Sequence, residues 1–281
     1  MSNKNVLIIY HGDCHDGFTG AWILHKVYPN AEFFAGKYGS KAMPEVKDRH
    51  VIMVDFSYDR ETLLDVADVA KSLVVMDHHK TAQENLADFD HYRAKIVFDM
   101  EKSGASIAWD YYFPYKPVPS IVKYVEDRDL WKFREQYSKE IHASLSSRDQ
   151  TFDNWDKFSH DLETDFNKIF HEGVSILRKQ KKDIDDLLRK TTHKKFIGGY
   201  EVPVANVPFM MASDAANILA QGEKFAATFY IDNNGHYVFS LRSDVNGMDV
   251  SSIAKQYGGG GHKHAAGFTI SDLKTTVIKG I

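Results

Sequence analysis

Val74-Val75-Met76-Asp77-His78-His79-Lys80 is an apolar run that ends abruptly in an acid and two imidazoles. An Asp followed by two His offers metal ligands, a proton donor or both. Three other apolar runs in the first half of the chain end in the same way. Val6 to Tyr10 runs into His11-Gly12-Asp13-Cys14-His15-Asp16-Gly17, Val51 to Val54 stops at Asp55, and Ile96 to Phe98 stops at Asp99. Val122 to Trp131 adds Asp127 and Asp129. Carboxylates crowded together repel and raise one another's pKa, so such a group needs compensating charge. A pair of divalent cations supplies it. Carboxylates mixed with a few imidazoles suit manganese better than zinc, which prefers Cys and His. Two metals about 3.5–4 Å apart are a standard device for hydrolysing phosphate esters. Asp55 stands alone after its run and is placed to bridge both. A single Asp after a strand is often only a helix cap, but caps need neither a His-His pair nor clustering. Asp99, His15 and His25 are read as structural.

Converging these residues requires a particular scaffold. Val6 to Tyr10, Glu32 to Ala35, Val51 to Val54, the Asp-His-His run and Ile96 to Asp99 read as strands, rich in branched residues. Helices fit Phe18 to Tyr28, Arg60 to Lys71 and Ala105 to Tyr112. Alternating strands and helices predict a doubly wound α/β domain with a mostly parallel sheet. All the strand ends then lie on one edge, where open α/β sheets bind ligands. Asp127 and Asp129 fall at a helix end. Phe158 to Leu188 is charged and helical in pattern, and much of it reads as solvated connector.

The composition changes near 190–200, which separates a domain over 1–190 from a smaller α/β domain over 200–281. In the latter, Ser213 can cap a helix through Leu219. Asp232-Asn233-Asn234-Gly235 reads as a hairpin turn between strands over 225–231 and 236–242. Asp249 can cap a helix ahead of Gly258-Gly259-Gly260-Gly261-His262-Lys263-His264. Glycines allow close backbone approach and point amides at an anion, while His262 and His264 can add charge-assisted hydrogen bonds. Arg242 ends the predicted hairpin and can grip a phosphate with two donors.

Bulk properties narrow the partners. A net charge of −4 over 281 residues argues against a surface built for duplex DNA or membrane. The single cysteine, Cys14, rules out an internal disulfide framework and fits a reducing, cytoplasmic setting. No apolar run approaches the roughly 20 residues of a membrane helix.

Asp77-His78-His79 resembles the signature of the DHH-family phosphoesterases. Ser240-Leu241-Arg242-Ser243 with Gly258 to Phe268 resembles the DHH-associated C-terminal domain that many of them carry. The resemblance implies a two-domain enzyme with its active site in the interdomain cleft and two manganese ions, whose places magnesium or cobalt can take. It implies that His11 and Asp13 bind the first metal, Asp55 bridges, and Asp16, His78 and Asp127 bind the second. Catalysis would involve His79 and Asp77. Arg242, Gly260, Gly261, His262 and His264 would bind substrate. The family usually spaces its first two acids as Asp-x-Asp, whereas here one more residue intervenes. That leaves the roles of Asp13 and Asp16 open, with His15 a further candidate to join them, as the choice is open between Asp127 and Asp129. Cys14 falls inside the site and would be oxidation-sensitive if exposed. The chain has no spare length for an added oligonucleotide-binding domain, and with its acidic balance this favours a short oligoribonucleotide or other small phosphorylated substrate. A homodimer is compatible with all of this.

Overall fold

The computed structural model describes residues 5–38 and 42–271. The chain forms two compact units, Met1–Leu177 and Arg178–Ile281. The first begins with β1 (Val6–His11), α1 (His15–Val27), β2 (Glu32–Gly36), β3 (His50–Val54), α2 (Arg60–Val69) and β4 (Ser72–Asp77). It continues with α3 (Lys80–Asn85), β5 (Ala94–Phe98), α4 (Gly104–Tyr112), α5 (Ser120–Asp129), α6 (Ser138–Leu145) and α7 (Phe152–Thr164). The long helix α8 (Phe166–Thr191) leads into the second unit.

The first sheet has the order β2-β1-β3-β4-β5, parallel throughout. Strand residues alternate between its two faces because successive side chains point to opposite sides. Val6, Ile8, Ile52, Val54 and Met76 join a core with Phe18, Trp22, Ala105 and Trp109. Leu7, Ile9, Val51, Met53, Leu73 and Val75 join another with Leu63, Val66 and Ala67 of α2. Burial on both faces explains the near-continuous apolar runs. The chain order reverses between β1 and β3, the point where ligands bind in doubly wound sheets.

The 158–188 stretch is more than a connector. Phe158, Leu162 and Ile169 are almost fully buried in the first core, beside Trp155 just ahead of the stretch, which donates its indole N–H to Thr19 Oγ1 at 2.9 Å. A helix can be charged over most of its surface and still bury one narrow stripe.

The second unit adds β6 (His193–Ile197), β7 (Tyr200–Asn206), α9 (Ala212–Leu219), β8 (Ala226–Ile231), β9 (Tyr237–Arg242), α10 (Val250–Lys255), β10 (Gly260–His262) and β11 (Ala265–Ile270). Its sheet has the order β10-β11-β9-β8-β7-β6 and is mixed, with only β7 and β8 parallel. Gly198-Gly199 turns the β6–β7 hairpin, so the segment read as a boundary is sheet. Asp249 caps α10 by accepting from Ser251 N at 3.0 Å. Ser213 does not cap α9. Its hydroxyl accepts from Arg242 Nη2 at 2.6 Å. Among the described residues, no helix is long and apolar enough to cross a membrane.

Candidate metal centre

The parallel sheet delivers β1, β3 and β4 side by side, so His11, Asp55 and Asp77-His78-His79 meet at one edge. Asp55 sits at their centre with φ 55° and 1% exposure. Its Oδ1 lies 3.1 Å from His78 Nε2 and 3.8 Å from His79 Nδ1. Its Oδ2 faces His11 Nδ1 at 3.4 Å, yet both atoms are buried and neither makes a hydrogen bond. Left-handed backbone at a buried Asp is strained and marks a place where side-chain direction matters more than local comfort. Gly104 lies so close that a Cβ there would come within 2.6 Å of Asp55 Cβ, so only glycine fits.

Asp16 is held from α4. Its Oδ2 accepts from Gly104 N at 2.6 Å and its Oδ1 from Ala105 N at 3.0 Å, the first amides of that helix. Oδ2 also lies 3.7 Å from His78 Nε2. Asp77 is fully engaged from below. Its Oδ1 accepts from the main-chain N of His78 at 2.7 Å and of His79 at 3.2 Å, and meets His79 Nδ1 at 2.7 Å. Asp77 therefore orients the His79 ring and is not among the clustered ligand atoms.

Within the first unit two groups of possible ligands emerge, the atoms of each all within 4.8 Å of one another. One is His11, Asp55 and His79, the other Asp16, Asp55 and His78. They share Asp55. The orphaned His11 Nδ1 and Asp55 Oδ2, in an oxygen-and-imidazole donor set, fit a divalent cation.

The electrostatics show the same need for positive charge. Burial, then the charges of Asp55 and Asp129, push Asp16 well above the usual carboxylate range. Burial also raises Asp129, with Asp55 adding to it. Burial opposes ionisation of Asp55, but the His11 and His78 imidazoles outweigh it and hold that carboxyl low. Burial likewise opposes a charged His78, yet Asp55, Asp129 and Asp16 push it up to about 10. Burial resists a charged His79, and Asp77 overrides it.

Two expected ligands lie elsewhere. Asp13 is on the surface, φ 56°, paired to Lys37 Nζ at 2.6 Å with its side chain 72% exposed. Helix α1 starts at His15, which puts Asp16 in its first turn and inside, while Asp13 stays outside. Asp127 is buried, but its carboxylate accepts from Arg134 N at 2.7 Å and Glu135 N at 3.2 Å, closing the loop after α5. Asp129, rather than Asp127, lies beside His78, with Oδ2 3.4 Å from its Nε2. Tyr38 escaped the sequence reading. Its hydroxyl is 3.5 Å from both Asp77 Oδ2 and His79 Nδ1, and no local pattern marks it because the contact is long-range. Cys14 is half-buried. Burial, and then Asp55, Asp129 and Asp16, push its thiol well above the ordinary value. His15 is structural as expected. It stacks on Trp155 and packs edge-on to His142, and burial followed by the Arg128 charge lowers it to about 4.

In the second unit the glycine run is not an open loop. Gly260 to His262 form edge strand β10 against β11. Gly261 has φ 138°, and a Cβ there would meet Ala265 O at 2.6 Å, so the close strand crossing by itself demands glycine. Arg242 donates to Leu241 O at 2.8 Å besides Ser213. His264 Nδ1 is 2.9 Å from Ser243 Oγ, which ties the β10–β11 turn to the end of β9.

Residues 204–279 match the DHHA1 domain, of which 272–279 lie outside the described residues. The chain is 29% identical over 297 residues to the uncharacterized protein R106 of Acanthamoeba polyphaga mimivirus, covering 95% of this chain and 68% of that one. It is 23% identical over 238 residues to oligoribonuclease NrnB of Bacillus subtilis (strain 168), covering 76% of this chain and 57% of NrnB. Its fold is similar to that of an exopolyphosphatase-related protein from Bacteroides fragilis, with a TM-score of 0.52 at 13% identity over 96% of this chain and 88% of that one. Residues 204–279 are thus a DHHA1 domain, and with Asp77-His78-His79 ending a central parallel strand ahead of it the chain resembles the DHH-family phosphoesterases.

Proposed function

We propose that this protein is a manganese-dependent phosphodiesterase that cleaves very short oligoribonucleotides or related small nucleotides. The observation that carries the reading is the pair of ligand triads sharing Asp55. His11, Asp55 and His79 would hold one cation, and Asp16, Asp55 and His78 the other, with Asp129 beside His78. Bound there, two divalent cations would activate a water and balance the charge developing on phosphate oxygens. The chain's own residues set the stage. Asp77 fixes the His79 ring, and the α4 amides fix Asp16, so the ligand atoms are held before substrate arrives. We assign substrate phosphate to Arg242, His262 and the amides of Gly260 and Gly261. His264 is engaged by Ser243 and drops out of that set.

The net charge of −4 speaks for a short substrate, since long-strand channels are basic. The likeness to an oligoribonuclease agrees with that. The test is product analysis by chromatography. The protein with manganese would be given a diribonucleotide, 3′-phosphoadenosine 5′-phosphate, a cyclic dinucleotide and polyphosphate, beside an Asp77→Ala control. Mononucleotides from the diribonucleotide, lost in the control, are expected. Orthophosphate alone, from the bisphosphate or polyphosphate, would move the protein to the phosphatases. Linearised cyclic dinucleotide would name that class instead. No product from any substrate, with no bound manganese, would leave a non-catalytic nucleotide-binding protein.

A further inference from the structure

The chain holds four tryptophans. Trp22, Trp109 and Trp155 are 2%, 6% and 0% exposed. Each donates its indole N–H: to Asp156 Oδ1 at 2.9 Å, to Lys116 O at 3.4 Å and to Thr19 Oγ1 at 2.9 Å. Tryptophans buried in a core behave in this way, because an unmatched donor there is costly. Trp131 differs on both counts. It is half-buried, and among the described residues its indole N–H has no protein acceptor.

Its backbone is also unusual. Trp131 has φ 55° and Phe133 φ 48°, a region that bulky side chains avoid. The surrounding contacts hold this conformation in place. Lys132 N and Phe133 N donate to Asp127 O at 2.9 and 3.4 Å, and Arg134 N and Glu135 N donate to the Asp127 carboxylate. Lys132 Nζ reaches Glu101 O at 2.9 Å. The guanidinium of Arg128 lies over the Trp131 ring at 4.0 Å, and Phe133 meets that ring edge-on at 4.9 Å. No other ring or cation contacts Trp131 among the described residues. Strain of this kind, held by several independent contacts, is typical of residues placed for function.

Placement supplies the rest. Trp131 follows Asp129 by two residues, and Asp129 Oδ2 is 3.4 Å from His78 Nε2. Two Cα steps span at most about 7.6 Å. A rigid indole with an unengaged donor is therefore carried within two residues of an acid of the metal centre, backed on one face by a cation. We infer that Trp131, backed by Arg128 and edged by Phe133, is the nucleobase platform of this site. A base of the substrate stacks on its ring while the adjoining phosphate occupies the centre. Every base has a π face, so such a platform accepts short oligonucleotides of any sequence. The inference rests on the nucleotide reading above and adds which residue recognises the base.

Two readouts test it. The first is steady-state hydrolysis of a diadenylate by wild type, Trp131→Leu and Trp131→Phe, with melting temperatures to check folding. Trp131→Leu should raise KM about ten-fold or more, while Trp131→Phe, which keeps a stacking ring, stays within about three-fold. The second is tryptophan fluorescence with magnesium present. Adenosine monophosphate should quench the wild type and not Trp131→Leu, since the other three tryptophans are buried, and inorganic phosphate should quench neither. A folded Trp131→Leu with unchanged KM on a diadenylate that the wild type cleaves overturns the platform alone. A wild type that is inactive on every dinucleotide but still quenched through Trp131 keeps the platform and removes the proposed reaction. Inactivity without quenching overturns both.

Discussion

The two units present the same kinds of residue in opposite states. At the edge of the first sheet, acids and imidazoles outnumber their partners: His11 Nδ1 and Asp55 Oδ2 are buried without a hydrogen bond. In the second unit some of them are already engaged. His264 meets Ser243, and Asp249 caps α10. The lesson is that residue type alone does not make a ligand. An unmet buried donor set calls for a cation, whereas a satisfied one stabilises a turn or a helix end.

The contrast is broken most severely at Asp55, which both triads share. Asp55→Asn should lower kcat by about a thousand-fold or more and reduce bound manganese, read by single-turnover kinetics and metal analysis. An active variant with full metal content would remove Asp55 from the centre.

The pair Asp129 and Asp127 divides function from structure within three residues. Asp129→Asn should cost about ten- to a hundred-fold in kcat/KM while leaving the melting temperature nearly unchanged. Asp127→Asn should do the reverse, losing about 1–2 kcal/mol of stability because two main-chain donors keep a weaker acceptor. The opposite pattern would return the ligand role to Asp127.

The pH dependence of the metal-free protein follows from His78. Its folded pKa is raised to about 10, so its contribution is fully present below the unfolded value near 6.5 and fades as pH rises toward 10. Asp16 and Asp129, also raised, favour the protonated form in the folded state, so their contribution begins to fade as pH rises past the ordinary carboxylate range, before the His78 window opens. In chelator, the melting temperature should fall across that window. Manganese should flatten the slope by replacing the imidazolium's charge, and His78→Gln should remove most of it. A chelated wild type with a flat profile would show that these groups do not titrate as described.

The smallest effect is expected at Asp13. It is an exposed partner of Lys37, so Asp13→Asn should leave kcat/KM within about two-fold and the melting temperature unchanged. A large loss of activity there would put Asp13 back among the ligands.

Much of this was legible before any coordinates. Branched apolar runs ending in His11, Asp55 and Asp77-His78-His79 implied a parallel sheet with those residues on one edge, because burial on both faces demands such runs. Asp16 was legible as a candidate but not separable from Asp13. The choice depends on where α1 starts and on the α4 amides, 88 residues further along the chain. Asp127 and Asp129 are equivalent in pattern, and only the loop that folds back over 131–135 takes Asp127 for its own amides. Tyr38 carried no local signal at all. The glycine run pointed to close approach, as it should, but the approaching group is strand β11.

The sequence by itself determined the fold class, the family resemblance and which residue types gather at the sheet edge. Those depend on periodicity and motif, which are local properties of the chain. The tertiary structure decided which acids remain without partners, which are tied up by amides and which tryptophan has its indole N–H unmatched. Hydrogen-bond satisfaction is a property of contacts between distant segments, and no spacing along the chain encodes it.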